Sequence, residues 1–240
     1  MEKQPLIIYG LQRTGTNYLE SLIPKNFSNF ELINDGAARS LPVHKHFRLY
    51  DDMNFIPEPK YYNNFHYDSL SDLEEHLESI TGKHGIKFII AVRNPYNWYL
   101  SYCRLARKNT RLFKRSRWPH FNRHSENPQF MIDYNLFYQK WLTFIKANPD
   151  KTILIRHEDN LQNLEKSLNR IEQKFGLNRK SEKIENPGKV NMSKKFTEQK
   201  RTYYVENKFI EEYDKKELEI LTEHLDEKLI TELGYDLVKP

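Results

Sequence analysis

Cysteine is nearly missing from this chain of 240 residues, where Cys103 stands alone. A single thiol excludes an internal disulfide and a cysteine-cluster metal site, and it suits a reducing compartment. Glycine and proline are sparse, at 8 and 11 residues, which speaks against low complexity. No apolar run approaches the roughly 18 residues of a membrane span. The opening MEKQP has neither the basic leader nor the apolar stretch of a secretion signal. The expectation is a soluble, cytoplasmic protein. Negative charge is missing from one long stretch. Between Glu78 and Glu126 there is no acid, while eleven basic residues occur: Lys83, Lys87, Arg93, Arg104, Arg107, Lys108, Arg111, Lys114, Arg115, Arg117 and Arg123. A block of one sign attracts anions. It is open to a nucleic acid, an anionic cofactor or an anionic glycan, or to a plain solvated face.

What is present reads as one globular domain over residues 1–240. Hydrophobic residues make up 38% and aromatics 13%, enough for a substantial core at this length. The low mean hydropathy of -0.83 comes from charged helix faces rather than biased composition. Three near-continuous apolar runs, PLIIY (5–9), IKFIIAV (86–92) and TILIRH (152–157), read as parallel strands covered on both faces. FELIND around Leu32 and LPVHKHF around Val43 are weaker candidates that would complete a sheet of about five strands. Helical patterns cover residues 16–22, 70–80, a run beginning at Asn94-Pro95, then 130–146, 161–175, 198–213 and 215–233, with Gly176 and Gly234 as stops. This order predicts an α/β fold of three layers, α/β/α, around a central, mainly parallel sheet. Ligands bind such sheets at the carboxyl ends of the strands. The segments GLQRTGTN, RNPYNWYLS and RHEDN should therefore meet at one site.

The first of these has the layout of a phosphate-cradling loop: a strand, Gly10, four residues, Gly15 and a helical pattern, as in P-loop NTPase-like folds. Backbone amides and the helix dipole then converge on one anion. The lysine expected after the second glycine is Thr16, and the Ser/Thr that would hold magnesium is Asn17. Both losses argue against Mg-triphosphate, but not against a smaller anion met by Arg13, hydroxyls and amides. The second segment has Arg93 at a strand end and Ser101 six residues past Pro95, about 9 Å along a helix. Arginine there offers paired, charge-assisted hydrogen bonds to a phosphate.

Together, GLQRTGTNYL, RNPYNWYLS and ILIRHEDN resemble the PAPS-dependent sulfotransferases, which transfer a sulfuryl group from 3'-phosphoadenosine 5'-phosphosulfate (PAPS) to an acceptor and release 3'-phosphoadenosine 5'-phosphate (PAP). ELGYDL near the end of the chain resembles the family's last helix and turn. The resemblance implies that Arg13, Thr14, Gly15, Thr16 and Asn17 bind the 5'-phosphosulfate. It also implies that Arg93 and Ser101, eight residues apart, bind the 3'-phosphate. Arg13 stands where many members have lysine, and Asn97, where aspartate is frequent, receives no role. His157 takes the place of a tyrosine that approaches the adenine, and Tyr18 that of an aromatic that stacks on it, with core packing as the other reading of Tyr18.

For the base, HKH offers His44, Lys45 and His46. Histidine is suited to take a hydroxyl proton at neutral pH. His46 is the candidate, with His44 as the fallback and Lys45 on the leaving oxygen or sulfuryl group. Some members use a glutamate, and here Asp35 or Glu58 would have to be brought in by folding. Transfer would be in line and metal-independent, with Arg13 stabilising the leaving group. His44 and His46 lack a third ligand at metal spacing. Lys189, Lys194 and Lys195 in NPGKVNMSKKF are candidates for the nucleotide's 3'-end, and FIPEPKYYNNFHY (55–67) is a candidate acceptor lip. The acceptor is expected to be a small molecule or glycan, with anionic character suggested by the basic block around Trp118 and Phe121. The rival readings are a P-loop kinase or NTPase, and a basic nucleic-acid-binding protein.

Overall fold

The computed structural model describes residues 3–49, 65–112, 128–187 and 197–239. Its center is a sheet of four parallel strands in the order β2-β1-β3-β4, formed by β1 (Gln4–Tyr9), β2 (Phe30–Leu32), β3 (Lys87–Val92) and β4 (Thr152–Arg156). In register, Ile8 faces Ile89, and Ile90 faces Leu154. Successive side chains of a strand point to opposite faces, and both faces here are covered. Leu6, Ile8, Ile89, Ala91, Ile153 and Ile155 pack against α1 (Thr16–Asn26) and α6 (Leu164–Phe175) through Leu19, Leu22, Ile23, Leu168 and Ile171. Ile7, Tyr9, Phe88, Ile90 and Val92 pack on the other side. They meet α2 (Leu70–Thr81), α3 (Pro95–Leu112), α4 (Gln129–Ala147), α8 (Lys215–Glu223) and α9 (Glu227–Glu232). The result is the α/β/α sandwich that the buried runs predict.

Helix starts follow side-chain caps. Ser69 and Asp72 form a capping box on α2. Asn94 Oδ1 accepts the amides of Tyr96 and Asn97 ahead of α3, with Pro95 as its first residue. Gly176 and Gly234 take the left-handed conformation at φ 61° and 78° and end their helices. Three long helical readings divide. Residues 161–175 contribute to α5 (His157–Gln162) and α6, because Asn163 leaves the helix to cap the amide of Lys166. Residues 198–213 become α7 (Glu198–Val205) and a 3-10 turn, Lys208–Glu212, with Asn207 at φ 55° between them. Residues 215–233 become α8 and α9, where Asp226 caps Leu229. Ile80, the last apolar residue of the 70–80 pattern, is exposed.

LPVHKHF is not a strand. Pro42 has no amide to donate, and the segment closes in turns instead, Leu41 N–H to Ala38 O, His44 N–H to Leu41 O and Phe47 N–H to His44 O. It is docked by a buried ion pair. Arg48 donates to Asp133 of α4 through Nε (3.0 Å) and Nη2 (2.7 Å), and through Nη1 to the carbonyl of His46 (2.7 Å). Their side chains are 3% and 0% exposed. A buried pair adds little net stability, but breaking it leaves a charge in a dry site. Asp133→Asn is therefore expected to cost roughly 3 kcal/mol, lowering the thermal midpoint by about 6–12 °C for a domain of this size. The double variant Arg48→Met with Asp133→Leu should recover most of it. Thermal and urea melts of the three proteins test this; equal losses in single and double variants would contradict it.

The order β2-β1-β3-β4 means that the chain leaves β1 toward β2 on one side while β3 lies on the other. The crevice at the carboxyl ends of β1 and β3 is thus the topological switch point, the place where such sheets bind ligands. Among the described residues, no helix is long and apolar enough to cross a membrane.

Candidate active site

The switch point is occupied by the loop from Gly10 to Gly15 and by the segment after β3. A Cβ at Gly10 would lie 2.5 Å from Thr14 Oγ1 and 2.8 Å from the carbonyl of Ala91, so only glycine lets the loop cross the neighboring strand. Gly15 has φ 101°, and a Cβ there would also press on His157 Nδ1 at 2.9 Å. Thr14 is buried and commits both its donors to the carbonyl of Leu11, N–H at 3.2 Å and Oγ1 at 2.7 Å. These bonds hold the loop in shape. Trp98 Nε1 donates to the carbonyl of Gln12 at 2.6 Å and fixes the loop to α3. The amides of Thr16 and Asn17 belong to the first turn of α1, which has no intrahelical partners for them. The positive end of the α1 dipole faces the same place.

Two arginines meet there. Arg13 Nε donates to Ser101 Oγ at 3.1 Å, and Arg93 Nη1 donates to the carbonyl of Arg13 at 2.9 Å. Arg93 and Ser101 are 5% exposed each. Desolvation and then the like charge of Arg93 lower the pKa of Arg13, and neither arginine has an ion-pair partner among the described residues. Two crowded cations without a carboxylate are the electrostatic signature of an anion site. Arg93 Nε, Asn97 Nδ2 and His157 Nδ1 are buried there without hydrogen-bond partners among the described residues, and such groups call for a ligand or solvent. Arg13 itself adopts φ 74°, a left-handed conformation costly for a residue with a Cβ and typical of strained functional loops.

Asn97, given no role from sequence, orients the site: its Oδ1 accepts from Arg93 Nη2 at 2.7 Å. Its place one turn after Arg93 was the available signal. Tyr204 of α7 was missed altogether. Its ring centroid lies 5.0 Å from the Arg93 guanidinium carbon and 6.0 Å from the His157 ring. His157 thus stands under the loop, between Gly15 and Tyr204, and burial followed by the charges of Arg93 and Arg13 lowers its pKa well below the ordinary value. Tyr18 packs beside the α1 and α6 cluster, with its hydroxyl 3.3 Å from Asn186 Oδ1.

The HKH segment flanks the loop. The Lys45 carbonyl accepts the Gly10 amide at 3.0 Å, and His46 Nδ1 lies 2.7 Å from the Gly10 carbonyl. A carbonyl only accepts, so Nδ1 carries the proton and the lone pair of neutral His46 is on Nε2. His44 is 4% exposed, and its Nδ1 accepts the His46 amide at 3.1 Å. Burial, then Lys45, lowers its pKa to about 4. That acceptor role leaves His44 as the support and His46 as the candidate base. Lys45 Nζ reaches across to α1, donating to Asn17 Oδ1 at 2.5 Å and to Glu20, which brings the ammonium to the rim of the loop. Asp35 accepts from the amide of Ala37 in its own turn.

Glu58, Lys189, Lys194, Lys195, Trp118 and Phe121, with most of the aromatic lip and the far half of the basic block, lie outside the described residues. Within them, Arg104 is tied to Glu212 and Tyr203, and Lys83 to Glu31. Part of the basic block is thus neutralized internally.

A family model described as Sulfotransferase domain matches residues 3–232. No curated protein matches in sequence. Among solved structures, sulfotransferase STF9 from Mycobacterium avium aligns at 15% identity and a TM-score of 0.42, covering 72% of this chain and 64%, just under two thirds, of that one. Mouse sulfotransferase SULT7A1 complexed with PAP aligns at 15% identity and a TM-score of 0.48, covering 97% of this chain and 85% of that one.

Proposed function

Since the chain belongs to the sulfotransferase domain family, we propose that it transfers a sulfuryl group from PAPS to an acceptor hydroxyl and releases PAP. The observation that carries this reading is the meeting of Arg13, Arg93 and Ser101 at the switch point, with Arg93 Nε and Asn97 Nδ2 buried beside them without partners. A nucleotide with phosphate at two positions supplies acceptors for these donors. PAPS brings an activated sulfuryl group bound to a phosphate leaving group.

Arg93 and Ser101 hold the 3'-phosphate, and Asn97 fixes the guanidinium. Arg13 and the amides at the start of α1 hold the 5'-phosphate and stabilize the charge that grows there as the S–O bond breaks. Lys45, at the loop rim, neutralizes the sulfuryl oxygens. His46 Nε2 takes the acceptor proton as the acceptor oxygen forms the new S–O bond. Gly15, Thr16 and Asn17 supply backbone donors, while Thr14 keeps the loop in shape. Tyr18 and His157 border the nucleoside end. The acceptor is a small molecule or a glycan, and the basic block favors one with anionic character.

Thermal melts with PAP, with Mg-ATP and with an oligonucleotide separate this reading from its rivals. Stabilization grows as the logarithm of ligand excess over Kd, about 4 kcal/mol at a thousandfold excess. The expected result is a rise with PAP, without magnesium, of roughly 10 °C and little response to the other two. A shift with Mg-ATP and none with PAP would favor a kinase or NTPase. A salt-sensitive shift with the oligonucleotide alone would favor a nucleic-acid-binding protein.

A further inference from the structure

Tyr204 lies 111 residues from Arg93 in sequence, yet its ring stands 5.0 Å from the Arg93 guanidinium carbon. The position is built. On its N-terminal side, Tyr203 donates to Glu212 and accepts from Arg104 Nη2 at 2.8 Å, and Arg104 pairs with both Glu212 oxygens at 2.5 and 2.6 Å. This network joins α7 to α3, the helix that carries Ser101. On another side, Arg201 Nη2 donates to the carbonyl of Gln162 at 2.8 Å and holds α7 to α5. The Tyr204 ring also meets His157 edge-on at 6.0 Å. The Arg93 guanidinium is thereby confined between three groups: the Arg13 carbonyl, Asn97 Oδ1 and the face of Tyr204. Its third nitrogen, Nε, is buried without a hydrogen-bond partner among the described residues.

We propose that Tyr204 is a specificity-determining residue for the nucleotide's 3'-phosphate, its aromatic face holding the Arg93 fork in the plane that presents the unpartnered donor to that phosphate. The proposal rests on the PAP-binding reading above. An aromatic face stabilizes a guanidinium without offering it an acceptor. It therefore fixes the arginine without competing for the hydrogen bonds that the phosphate requires, as a carboxylate in the same place would. The ring, not the hydroxyl, is the working part.

The test compares the affinities of PAP and adenosine 5'-monophosphate, which differ by the 3'-phosphate, in wild type, Tyr204→Phe and Tyr204→Leu, by calorimetry. Wild type should bind PAP far more tightly. Tyr204→Phe should keep that ratio. Tyr204→Leu, which keeps apolar bulk but loses the π face, should lower PAP affinity about tenfold and leave adenosine 5'-monophosphate within about twofold. A preserved ratio in Tyr204→Leu overturns the proposal. So does a parallel loss for both nucleotides, which marks a structural role, or an equal loss in the Phe variant, which assigns the effect to the hydroxyl. If Tyr204→Leu does not fold, Tyr204→Ala is read in its place. A wild type that binds both nucleotides equally, or neither, overturns the underlying PAP reading as well, and so is distinguished from failure of the Tyr204 role alone.

Discussion

His46→Ala is expected to lower kcat by about a hundredfold to ten-thousandfold, the usual contribution of a positioned general base, while PAP affinity stays within about twofold. The split follows from geometry. His46 meets the loop through the Gly10 carbonyl, which also fixes its tautomer, so removing the imidazole should delete the proposed proton acceptor and leave the two arginines in place. Its environment gives a second readout. Burial is the main cause that lowers its pKa well below the ordinary value; the Gly10 hydrogen bond opposes this, and His44, Arg48 and Lys45 add to it. A base acts in its neutral form, and a lowered pKa keeps it neutral further into acid. The rate should therefore stay level as pH falls through about 6.5, the ordinary histidine value, and decline only below it. The acid limb should vanish in His46→Ala. His44→Ala should retain the limb, because its ring accepts the His46 amide and under the proposed function is not the base. A limb at or above the ordinary value, or one lost with His44 instead of His46, would contradict the assignment.

How far the sequence carried this reading depends on whether backbone or tertiary pairing does the work. The strands β1, β3 and β4 are buried on both faces, so each is a continuous apolar run within one residue of its observed ends. The Gly10–Gly15 loop and the Asn94-Pro95 cap are local geometries that a few adjacent residues dictate. They could be read directly. Helix division was harder, because the apolar period continues across Asn163, Asn207 and Asp226, and a cap inside a periodic run is outvoted by its neighbors; the caps themselves were the signal. LPVHKHF was misread because Val43 and Phe47 are indeed buried, but burial came from consecutive turns rather than from a strand. Arg48 with Asp133, and Arg93 with Tyr204, are 85 and 111 residues apart. No window of sequence brings such pairs together, so the groups that orient His46 and Arg93 became visible only in the fold.

The two arginines should fail in different ways. Arg93 is buried and fixed by the Arg13 carbonyl and Asn97, so under the proposed function its phosphate contacts would be made equally before and during transfer. Arg93→Ala should weaken PAP binding by about a hundredfold to a thousandfold, since losing one partner of a buried charge pair costs about 2–5 kcal/mol at 1.4 kcal/mol per tenfold. At saturating donor, kcat should fall much less. Arg93→Lys should recover little, because an ammonium cannot reproduce the fork. Under the same reading Arg13 would face charge that develops only as the leaving group departs, so its removal should appear chiefly in kcat, by about a hundredfold to a thousandfold. It also sits in a left-handed conformation, beside a like charge, in a loop. Glycine relieves both, the backbone part alone by about 1–2 kcal/mol, against the loss of one hydrogen bond to Ser101 worth about 1 kcal/mol. Arg13→Gly is therefore expected to melt at the wild-type temperature or a few degrees higher while its turnover collapses. That pairing is what a loop strained for function predicts, and a variant that lost stability but kept its kcat would show that Arg13 is there to hold the loop together, not to act on the transferred group.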